Sequence, residues 1–267
     1  MGSLVDMIKN ESKGIIDNTD VLIIEQVLNK LFYASTNPKE ELEMLKMQFR
    51  QKQGDRYGLH ASSLLASGEI FCYREQILSL FYKQAQGENI KIGLKRIFEE
   101  GNFIGEKWQR LFLRGGIGVK EDMDISRFIP EYDLSYTPDA KVVIAKKKWI
   151  VETKSQNTFL YKKQAGHPSG MKQLKLYMFL EQVENGFVLV EDKNSQEFKI
   201  LPAKNKEEDL DYIIERLERI QVYKKQFKKL KKPPERICEQ DSCKRALTCN
   251  MRDACFNIGM GRVKLCV

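Results

Sequence analysis

Residues 137–156, TPDAKVVIAKKKWIVETKSQ, contain two short apolar runs separated by lysines. Valine, isoleucine and tryptophan favour extended structure, so the runs VVI and WIV predict two β-strands that pair as a hairpin through the segment AKKK. Asp139 stands just before the first run, and Glu152 and Lys154 stand at the end of the second. Because a hairpin brings these two ends together, we expect the three charged side chains to lie near one another.

Side chains alternate between the two faces of a strand, so Glu152 and Lys154 share one face while Thr153 points to the other. Two carboxylates suit a hard divalent cation such as Mg²⁺ or Mn²⁺, which predicts Asp139 and Glu152 as ligands. Lys154 would then lower the pKa of an attacking water or orient it. The alternative interpretation is that these are ordinary charges where strands meet solvent.

The rest of the chain predicts an α/β protein with a helical N-terminal flank. Apolar residues recur at helical spacing over residues 19–32, 37–50, 73–84, 94–114, 169–183 and 207–230. Strand-like runs occupy residues 117–121, 141–145, 149–154, 186–192 and 197–202. We expect a helical region over residues 1–57, a core over 58–205, and a basic helix with a Cys-rich tail over 206–267, packed together as a single compact unit.

Composition narrows the class of protein. The chain has 267 residues, 42% of them hydrophobic, which is enough for a sizeable core and excludes a disordered tail. The 45 Lys and Arg exceed the 37 Asp and Glu, and the net charge of +8 favours a polyanionic partner. No run approaches the ~20 apolar residues of a membrane span, and MGSLVDMIKNESKG does not resemble a signal peptide. We therefore expect an intracellular protein without a membrane partner.

Lysines cluster at the end of the last long helix. Lys224, Lys225, Lys228 and Lys229 are the candidates for contacts with nucleic-acid phosphates, which need no base sequence and weaken with salt. A solvated helix face is the alternative. Tyr223 and Phe227 fall on the apolar stripe of the same helix, so the pattern does not imply that they stack on bases.

Five of the six cysteines follow residue 237, and the sixth is Cys72. In a reducing compartment, clustered thiols are more often metal ligands or core residues than disulfides. The four cysteines Cys238, Cys243, Cys249 and Cys255 are separated by four, five and five residues, which is longer than the usual spacing of zinc ligands. A zinc site and six unliganded thiols both remain open, and Cys266 is expected to be a free thiol.

One combination of motifs resembles a known family. Pro138-Asp139, twelve intervening residues and Glu152-Thr153-Lys154 resemble the PD-(D/E)xK nuclease signature. Gln173 and Tyr177 on the following helix resemble the Q-x3-Y motif of its RecB-like branch, so the resemblance covers roughly residues 58–256. It implies a restriction-endonuclease-like core, with a central mixed sheet flanked by helices, and an Mg²⁺- or Mn²⁺-dependent deoxyribonuclease.

The same resemblance implies an exonuclease acting on single-stranded DNA or duplex ends in recombination, repair or phage DNA replication. Its location would be the cytoplasm of a bacterium or of a phage-infected host cell, and recombination or replication proteins would be its partners. Two rival hypotheses are a non-catalytic nucleic-acid-binding protein stapled by a metal or cluster site, and a zinc-stapled interaction protein.

By resemblance, Asp139, Glu152 and the carbonyl of Thr153 would bind the metal. Gln173 and Tyr177 would contact the catalytic carboxylates or nucleic-acid phosphates. The family also carries a His-Glu motif on a helix before the sheet, and here EGNFIGEKWQ places Gly105 at the position of the histidine. Glu106 is therefore the candidate for an extra ligand, with a solvated helix residue as the alternative. His167, just before the Gln173 helix, is a further candidate for a phosphate or metal contact.

Iron–sulfur members of this branch, which include exonucleases of CRISPR adaptation, take one thiolate from the N-terminal region and three from the C-terminus. The resemblance implies a 4Fe–4S cluster on Cys72, Cys243, Cys249 and Cys255, with Cys238 as a substitute for Cys243. The family spacing C-x2-C-x5-C agrees only between Cys249 and Cys255. Zn²⁺ is the alternative cofactor.

Overall fold

The computed structural model describes residues 18–33, 38–46, 58–67, 71–82, 92–124, 126–204 and 210–257. The chain divides into two compact units, each assembled from segments that are not contiguous in sequence. The first unit contains Met1–Gln51, Lys95–Ser126 and Thr137–Leu210, and the second contains Lys52–Leu94, Arg127–Tyr136 and Asp211–Val267. Within the described residues, no helix is long and apolar enough to cross a membrane.

The helices and strands have the following bounds. The helices are α1 (Asn18–Tyr33), α2 (Pro38–Lys46), α3 (Tyr73–Phe81), α4 (Ile92–Arg114), α5 (Thr158–Lys163), α6 (Pro168–Glu181), α7 (Asp211–Leu230), α8 (Lys244–Thr248) and α9 (Arg252–Phe256). The strands are β1 (Leu59–His60), β2 (Arg127–Ile129), β3 (Leu134–Tyr136), β4 (Ala140–Ile144), β5 (Lys147–Gln156), β6 (Asn185–Asp192) and β7 (Phe198–Lys204). Short 3-10 helices cover Ala61–Leu65 and Lys120–Asp122.

The first unit is built on a mixed four-stranded sheet in the order β4-β5-β6-β7. β4 and β5 form the antiparallel hairpin predicted from their apolar runs. β6 pairs with β5 in parallel, because helices α5 and α6 carry the chain back to the starting edge, and β7 closes the sheet antiparallel to β6. The predicted α/β architecture, a central mixed sheet flanked by helices, is confirmed.

Strand alternation divides the sheet into two packed faces. Trp149 and Val151 of β5 belong to one core cluster with Leu28 of α1 and with Trp108 and Phe112 of α4. The intervening side chains of β5 point to the opposite face, where α6 packs. Both faces of β5 and β6 are therefore covered, which explains why these strands read as nearly continuous apolar runs.

Gly186 allows α6 to lie close to the sheet. A Cβ atom at Gly186 would stand 2.6 Å from Met178 Sδ, 2.8 Å from Leu174 Cδ1 and 3.0 Å from the carbonyl oxygen of Ile150. We expect Gly186→Ala to lower the free energy of unfolding by about 1–3 kcal/mol, since the helix must shift to admit the methyl group. Urea denaturation measures this change.

Gly166→Ala is the matched control for this substitution, because nothing lies within 4 Å of a Cβ atom at Gly166. The control should change the free energy of unfolding by less than about 0.5 kcal/mol. Equal stability of the two variants would show that α6 is not closely seated on β6.

The second unit contains a three-stranded sheet and two packed helices. β3 is its central strand, parallel to β1 and antiparallel to β2. Helices α3 and α7 pack together through apolar side chains, among them Phe81 and Phe227, whose ring centroids lie 4.8 Å apart. The buried Arg216 donates to the carbonyls of Leu64 and Ala66 and lies over the Phe71 ring at 4.0 Å.

The long helices and the four main strands agree with the pattern of apolar residues. The strand predicted over residues 117–121 is wrong. The carbonyl of Ile117 accepts a hydrogen bond from the Val143 N–H at 2.7 Å, but the chain then turns into the 3-10 helix Lys120–Asp122 instead of extending the sheet. Strands β1 to β3 were not predicted, since segments of two or three residues show no periodicity. Residues 47–50, 83–84 and 207–209 of the predicted helices lie outside the described ranges.

Candidate active site

Asp139 and Glu152 lie opposite each other at the open end of the β4–β5 hairpin. Ala140 pairs with Val151, so the same register continued by one residue places Asp139 across from Glu152 on the face covered by α6. The backbone N–H of Thr153 donates to Asp139 Oδ2 at 2.7 Å. The structure therefore brings Asp139 and Glu152 together, as expected from the predicted hairpin.

A chain of polar contacts runs from these carboxylates into α6. Lys154 Nζ lies 2.6 Å from Glu152 Oε1 and donates to Gln173 Oε1 at 3.1 Å. Gln173 Nε2 contacts Tyr177 Oη at 2.9 Å, and Tyr177 also hydrogen-bonds with the backbone of Thr137. Because Gln173 and Tyr177 are four residues apart on one helix face, both reach the same site.

The Glu152 carboxylate is buried with too little positive charge around it. Its side chain is 1% exposed, and Oε2 has no hydrogen-bond partner within the described part of the chain. Burial, reinforced by the Asp139 carboxylate and opposed by Lys154, raises the pKa of Glu152 to about 8. A buried carboxylate oxygen without a partner is costly, so this position is suited to a cation.

Lys154 and Tyr177 are held in definite protonation states. Burial by itself would lower the pKa of Lys154, but the carboxylates of Glu152 and Asp139 outweigh it and raise the pKa. Burial and the nearby Glu152 raise the pKa of Tyr177 well above its ordinary value. The site therefore presents a charged ammonium and a neutral phenol at neutral pH.

Asp124 is a third carboxylate near the site, and the sequence reasoning missed it. Its backbone N–H donates to the carbonyl of Asp139 at 3.0 Å, and its charge adds to the upward shift of the Glu152 pKa. The residue has a left-handed backbone, with φ of 48°. A loop residue this far from the hairpin shows no periodic signal; the acidic run EDMD was the only available hint.

Helix α4 contacts the site through Gln109. This side chain is 4% exposed, its Nε2 donates to the carbonyl of Asp139 at 2.8 Å, and its Oε1 has no partner among the described residues. The helix is fixed to β6 because Trp108 Nε1 donates to the buried Glu191 at 2.7 Å. Glu106, the residue predicted from the family motif, forms an ion pair with Arg110 at 3.1 Å.

His167 caps the N-terminus of α6. Its Nδ1 accepts the N–H of Gly170 at 3.0 Å, and burial together with the charge of Lys154 lowers its pKa, which favours the neutral ring. Gly170 permits a close approach at this point, since a Cβ there would lie 3.1 Å from Lys154 Cγ. His167 therefore supports the helix that carries Gln173.

The second unit gathers the cysteines predicted to bind a cluster. Cys72, Cys238, Cys249 and Cys255 line one small cavity of about 20 Å³. Cys243 instead caps α8, where its Sγ accepts the N–H of Ala246 at 3.4 Å, and it hydrogen-bonds with Cys238. Cys266 lies outside the described residues.

The thiols in this cavity differ in their electrostatic surroundings. Burial, with Glu75 nearby, raises the pKa of Cys249 to about 12. Arg74 Nε donates to Cys255 Sγ at 3.1 Å. Across the described ranges, no three His, Cys, Asp or Glu side chains converge closely enough to hold one metal ion.

The predicted phosphate-binding lysines lie on α7. Lys224 is half-buried and forms an ion pair with Asp133. Lys225, Lys228 and Lys229 are exposed. The exposed lysines of this helix therefore lie in its last two turns.

No protein-family model matches the chain, and no curated protein matches it. Among solved structures, it is similar to the exonuclease LHK-Exo in complex with dAMP, with a TM-score of 0.47 and 13% identity over 65% of this chain and 91% of that chain. A second structure, of LHK-Exo from Laribacter hongkongensis as an alkaline exonuclease, gives 0.43 and 14% over 64% and 92%. The structure of SSO0001 gives 0.40 and 15% over 74% and 87%. These similarities are too distant to assign the chain to a family.

Proposed function

We propose that the protein is a divalent-metal-dependent DNA nuclease with Asp139, Glu152 and Lys154 as its hydrolytic centre. The observation that carries the proposal is the buried Glu152 Oε2, which lacks a partner among the described residues although it faces a second carboxylate and lies beside an ammonium group. Most buried polar atoms are hydrogen-bonded, so a buried carboxylate oxygen without a partner beside a second carboxylate marks a position of negative potential that suits a cation. The motif spacing that resembles PD-(D/E)xK nucleases supports the same interpretation.

The residues present fit Mg²⁺ or Mn²⁺. Such ions bind proteins through one or two carboxylates and complete their coordination with water and substrate phosphate oxygens, so a closed cage of three acidic side chains is not needed. Asp139 and Glu152 would hold the ion, with the Thr153 carbonyl as a further ligand. When bound, the ion would polarise the phosphoryl group and supply a hydroxide nucleophile. Glu106, the extra ligand that the resemblance implies, has one carboxylate oxygen in an ion pair with Arg110.

The other side chains would position the reacting groups. Lys154, kept protonated by its carboxylate neighbours, would orient the attacking water and stabilise negative charge that develops on the phosphate. Gln173 fixes the ammonium group through its amide oxygen, and Tyr177 in turn fixes the amide. These contacts hold Lys154 in one conformation before the substrate arrives.

We propose DNA as the substrate, attacked as an exonuclease at single-stranded or duplex ends in recombination, repair or phage DNA replication. This finer assignment rests on the motif resemblance. The exposed Lys225, Lys228 and Lys229 and the net charge of +8 support a polyanionic partner.

We further propose that the cysteine cavity binds a 4Fe–4S cluster, with Zn²⁺ as the alternative; either would draw the thiols closer together than they lie in the described part of the chain. Cys72, Cys249 and Cys255 belong to both the predicted ligand set and the cavity lining. The fourth ligand best supported is Cys238, because Cys243 faces the backbone of α8. A cluster or zinc ion here would hold α3 to the segment that follows α7, since Cys72 is the N-cap of α3.

The test is digestion of end-labelled single-stranded and duplex DNA with Mg²⁺ or Mn²⁺. We expect the wild-type protein to shorten the labelled DNA strands. Glu152→Ala and Lys154→Ala should each lower the rate of cleavage by about a hundredfold or more, because each removes a group that acts at the phosphate. Glu184→Ala and Lys148→Ala are matched controls at exposed positions of the same unit and should keep the wild-type rate.

Two outcomes would contradict the proposed function. One is the absence of cleavage by the wild type with either metal; if DNA is still bound, the non-catalytic binding protein becomes the better description. The other is full cleavage by both active-site variants.

A further inference from the structure

A cavity of about 430 Å³ opens in the second unit next to the cysteine cavity, with which it shares Ile237 as a lining residue. One wall is Tyr73, the first residue of α3. A second wall comes from the last turns of α7, including Tyr223 and Leu230, and the third from the segment Lys232–Ile237. The volume falls within the ~300–1,000 Å³ typical of sites for small organic groups.

Tyr223 does not lie in the core as its place on the apolar stripe predicted. Phe227, one turn later, is 5% exposed and packs on Phe81. Tyr223 lies beside the first residue of α3, where its ring centroid is 5.4 Å from that of Tyr73 at an interplanar angle of 60°. Because α3 begins at this point, the Tyr223 ring is half-buried and forms a cavity wall.

The third wall is held in place by identifiable contacts. Lys231 has a left-handed backbone, with φ of 55°, and its N–H bonds to the carbonyl of Phe227, so the chain turns sharply after α7. Arg74 then donates to the carbonyl of Pro234 at 2.8 Å and to that of Cys255 at 3.3 Å. A wall fixed in this way is formed before a ligand binds, which lowers the entropic cost of binding.

The charge around the cavity favours an anion. Residues 219–236 contain eight lysines and arginines and one acidic residue, Glu235. Lys232 and Glu235 both line the cavity, and the positive excess comes from the lysines around it, including the exposed Lys228 and Lys229 on the last turn of α7. The ligand that suits this site therefore combines an aromatic surface for the tyrosines with negative charge for the lysines.

We propose that this cavity binds an unpaired nucleotide of a DNA strand. The base would pack against Tyr223 and Tyr73, and the adjoining phosphates would contact Lys232 and the neighbouring lysines. A paired base is stacked inside its duplex and offers no face to a side chain, so the cavity selects single-stranded DNA or a frayed end. The choice of DNA rests on the proposed function, whereas the aromatic and cationic chemistry does not.

The test measures binding without cleavage. Glu152→Gln serves as the parent, without divalent metal, and a fluorescein-labelled oligothymidine of about ten nucleotides is the probe for fluorescence anisotropy. We expect Tyr223→Ala to weaken binding at least about fivefold, because it removes the stacking ring, and Tyr223→Phe to retain it. Lys232→Ala should weaken binding and lower the slope of log K against log salt by about one.

Matched controls separate the cavity from general charge and aromatic content. Tyr33→Ala removes a tyrosine that is 87% exposed, and Lys148→Ala removes an exposed lysine; both should bind like the parent. Affinity for a blunt duplex with closed hairpin ends should not change in Tyr223→Ala. Thermal unfolding shows whether each variant is folded. If Tyr223→Ala is unfolded, the affinities of Tyr223→Leu and of the surface variant Lys232→Ala decide whether the cavity binds the nucleotide.

Parental affinity in Tyr223→Ala, or equal losses in Tyr223→Ala and Tyr223→Phe, would overturn the inference. The result is separable from the nuclease test. If the wild type cuts DNA while Tyr223→Ala binds normally, the nucleotide site is wrong and the nuclease stands. If Tyr223→Ala loses affinity while the wild type cuts nothing, the nucleotide site stands and the nuclease is wrong.

Discussion

Replacing Glu152 by Gln is expected to lower DNA cleavage about a thousandfold and, at the same time, to stabilise the metal-free protein at alkaline pH. Gln has nearly the shape of a protonated Glu but carries no charge. It therefore removes the buried like-charge contact with Asp139 together with a proposed metal ligand. Activity and stability should change in opposite directions, as is common where a site is built for a cation.

The pH dependence follows from the raised pKa of Glu152. In the unfolded chain this carboxyl group titrates near 4.5, whereas in the folded protein its pKa is about 8. The folded state therefore binds the proton more tightly, and the stability gained from this is complete below about pH 4.5 and is lost as the pH rises through about 8. Wild type and Glu152→Gln should be similarly stable near pH 5 and differ by roughly 2–5 kcal/mol near pH 8.5.

Urea denaturation at the two pH values measures this difference, and Glu184→Gln at an exposed position is the control. Mg²⁺ or Mn²⁺ should raise the stability of the wild type at alkaline pH much more than that of Glu152→Gln, because the ion replaces the missing positive charge. A stability difference that does not vary with pH would contradict the electrostatic account of the site.

Loss of the iron or zinc bound by the cysteines is expected to have the second large effect, which is on stability. In the described residues that follow α7, the fully buried apolar side chains are Ala246 and Met251, which is little for a stable core. If iron or zinc holds this segment, Cys72→Ser and Cys255→Ser should release the metal and lower the melting temperature by roughly 10 °C or more. Trypsin should then cleave the segment after α7.

The same experiment identifies the fourth ligand and the metal. Cys238→Ser should lose the metal, whereas Cys243→Ser should keep it, because the Cys243 thiol caps α8. Iron and sulfide analysis together with visible absorption distinguishes a brown iron–sulfur protein from a colourless zinc protein. Protein purified without oxygen that contains neither metal would contradict the ligand proposal.

Much of the first unit could be predicted because its signals are local. The apolar runs VVI and WIV predicted the hairpin and the shared face of Glu152 and Lys154. The register that sets Asp139 across from Glu152 comes instead from a turn of two residues, Ala145 and Lys146, because Ile144 pairs with Lys147. The spacing of Gln173 and Tyr177 placed both on one side of α6. The strand predicted over residues 117–121 failed because the backbone there makes a single sheet-like bond and then turns.

Contacts made across long stretches of chain could not be predicted. Gln109 approaches Asp139 because α4 is anchored by Trp108, and Asp124 approaches it because a left-handed loop turns inward. Neither depends on a repeating pattern.

The sequence by itself determined the hairpin, the shared face of Glu152 and Lys154, and the excess of positive charge, because periodicity and charge are properties of neighbouring residues. Only the tertiary structure decided that Glu152 is buried with an oxygen that has no partner in the described ranges, that Cys238 rather than Cys243 lines the cysteine cavity, and that Tyr223 lines an open cavity while Phe227 is covered. Burial depends on which distant segment covers a residue, and that is settled by the packing of the whole fold.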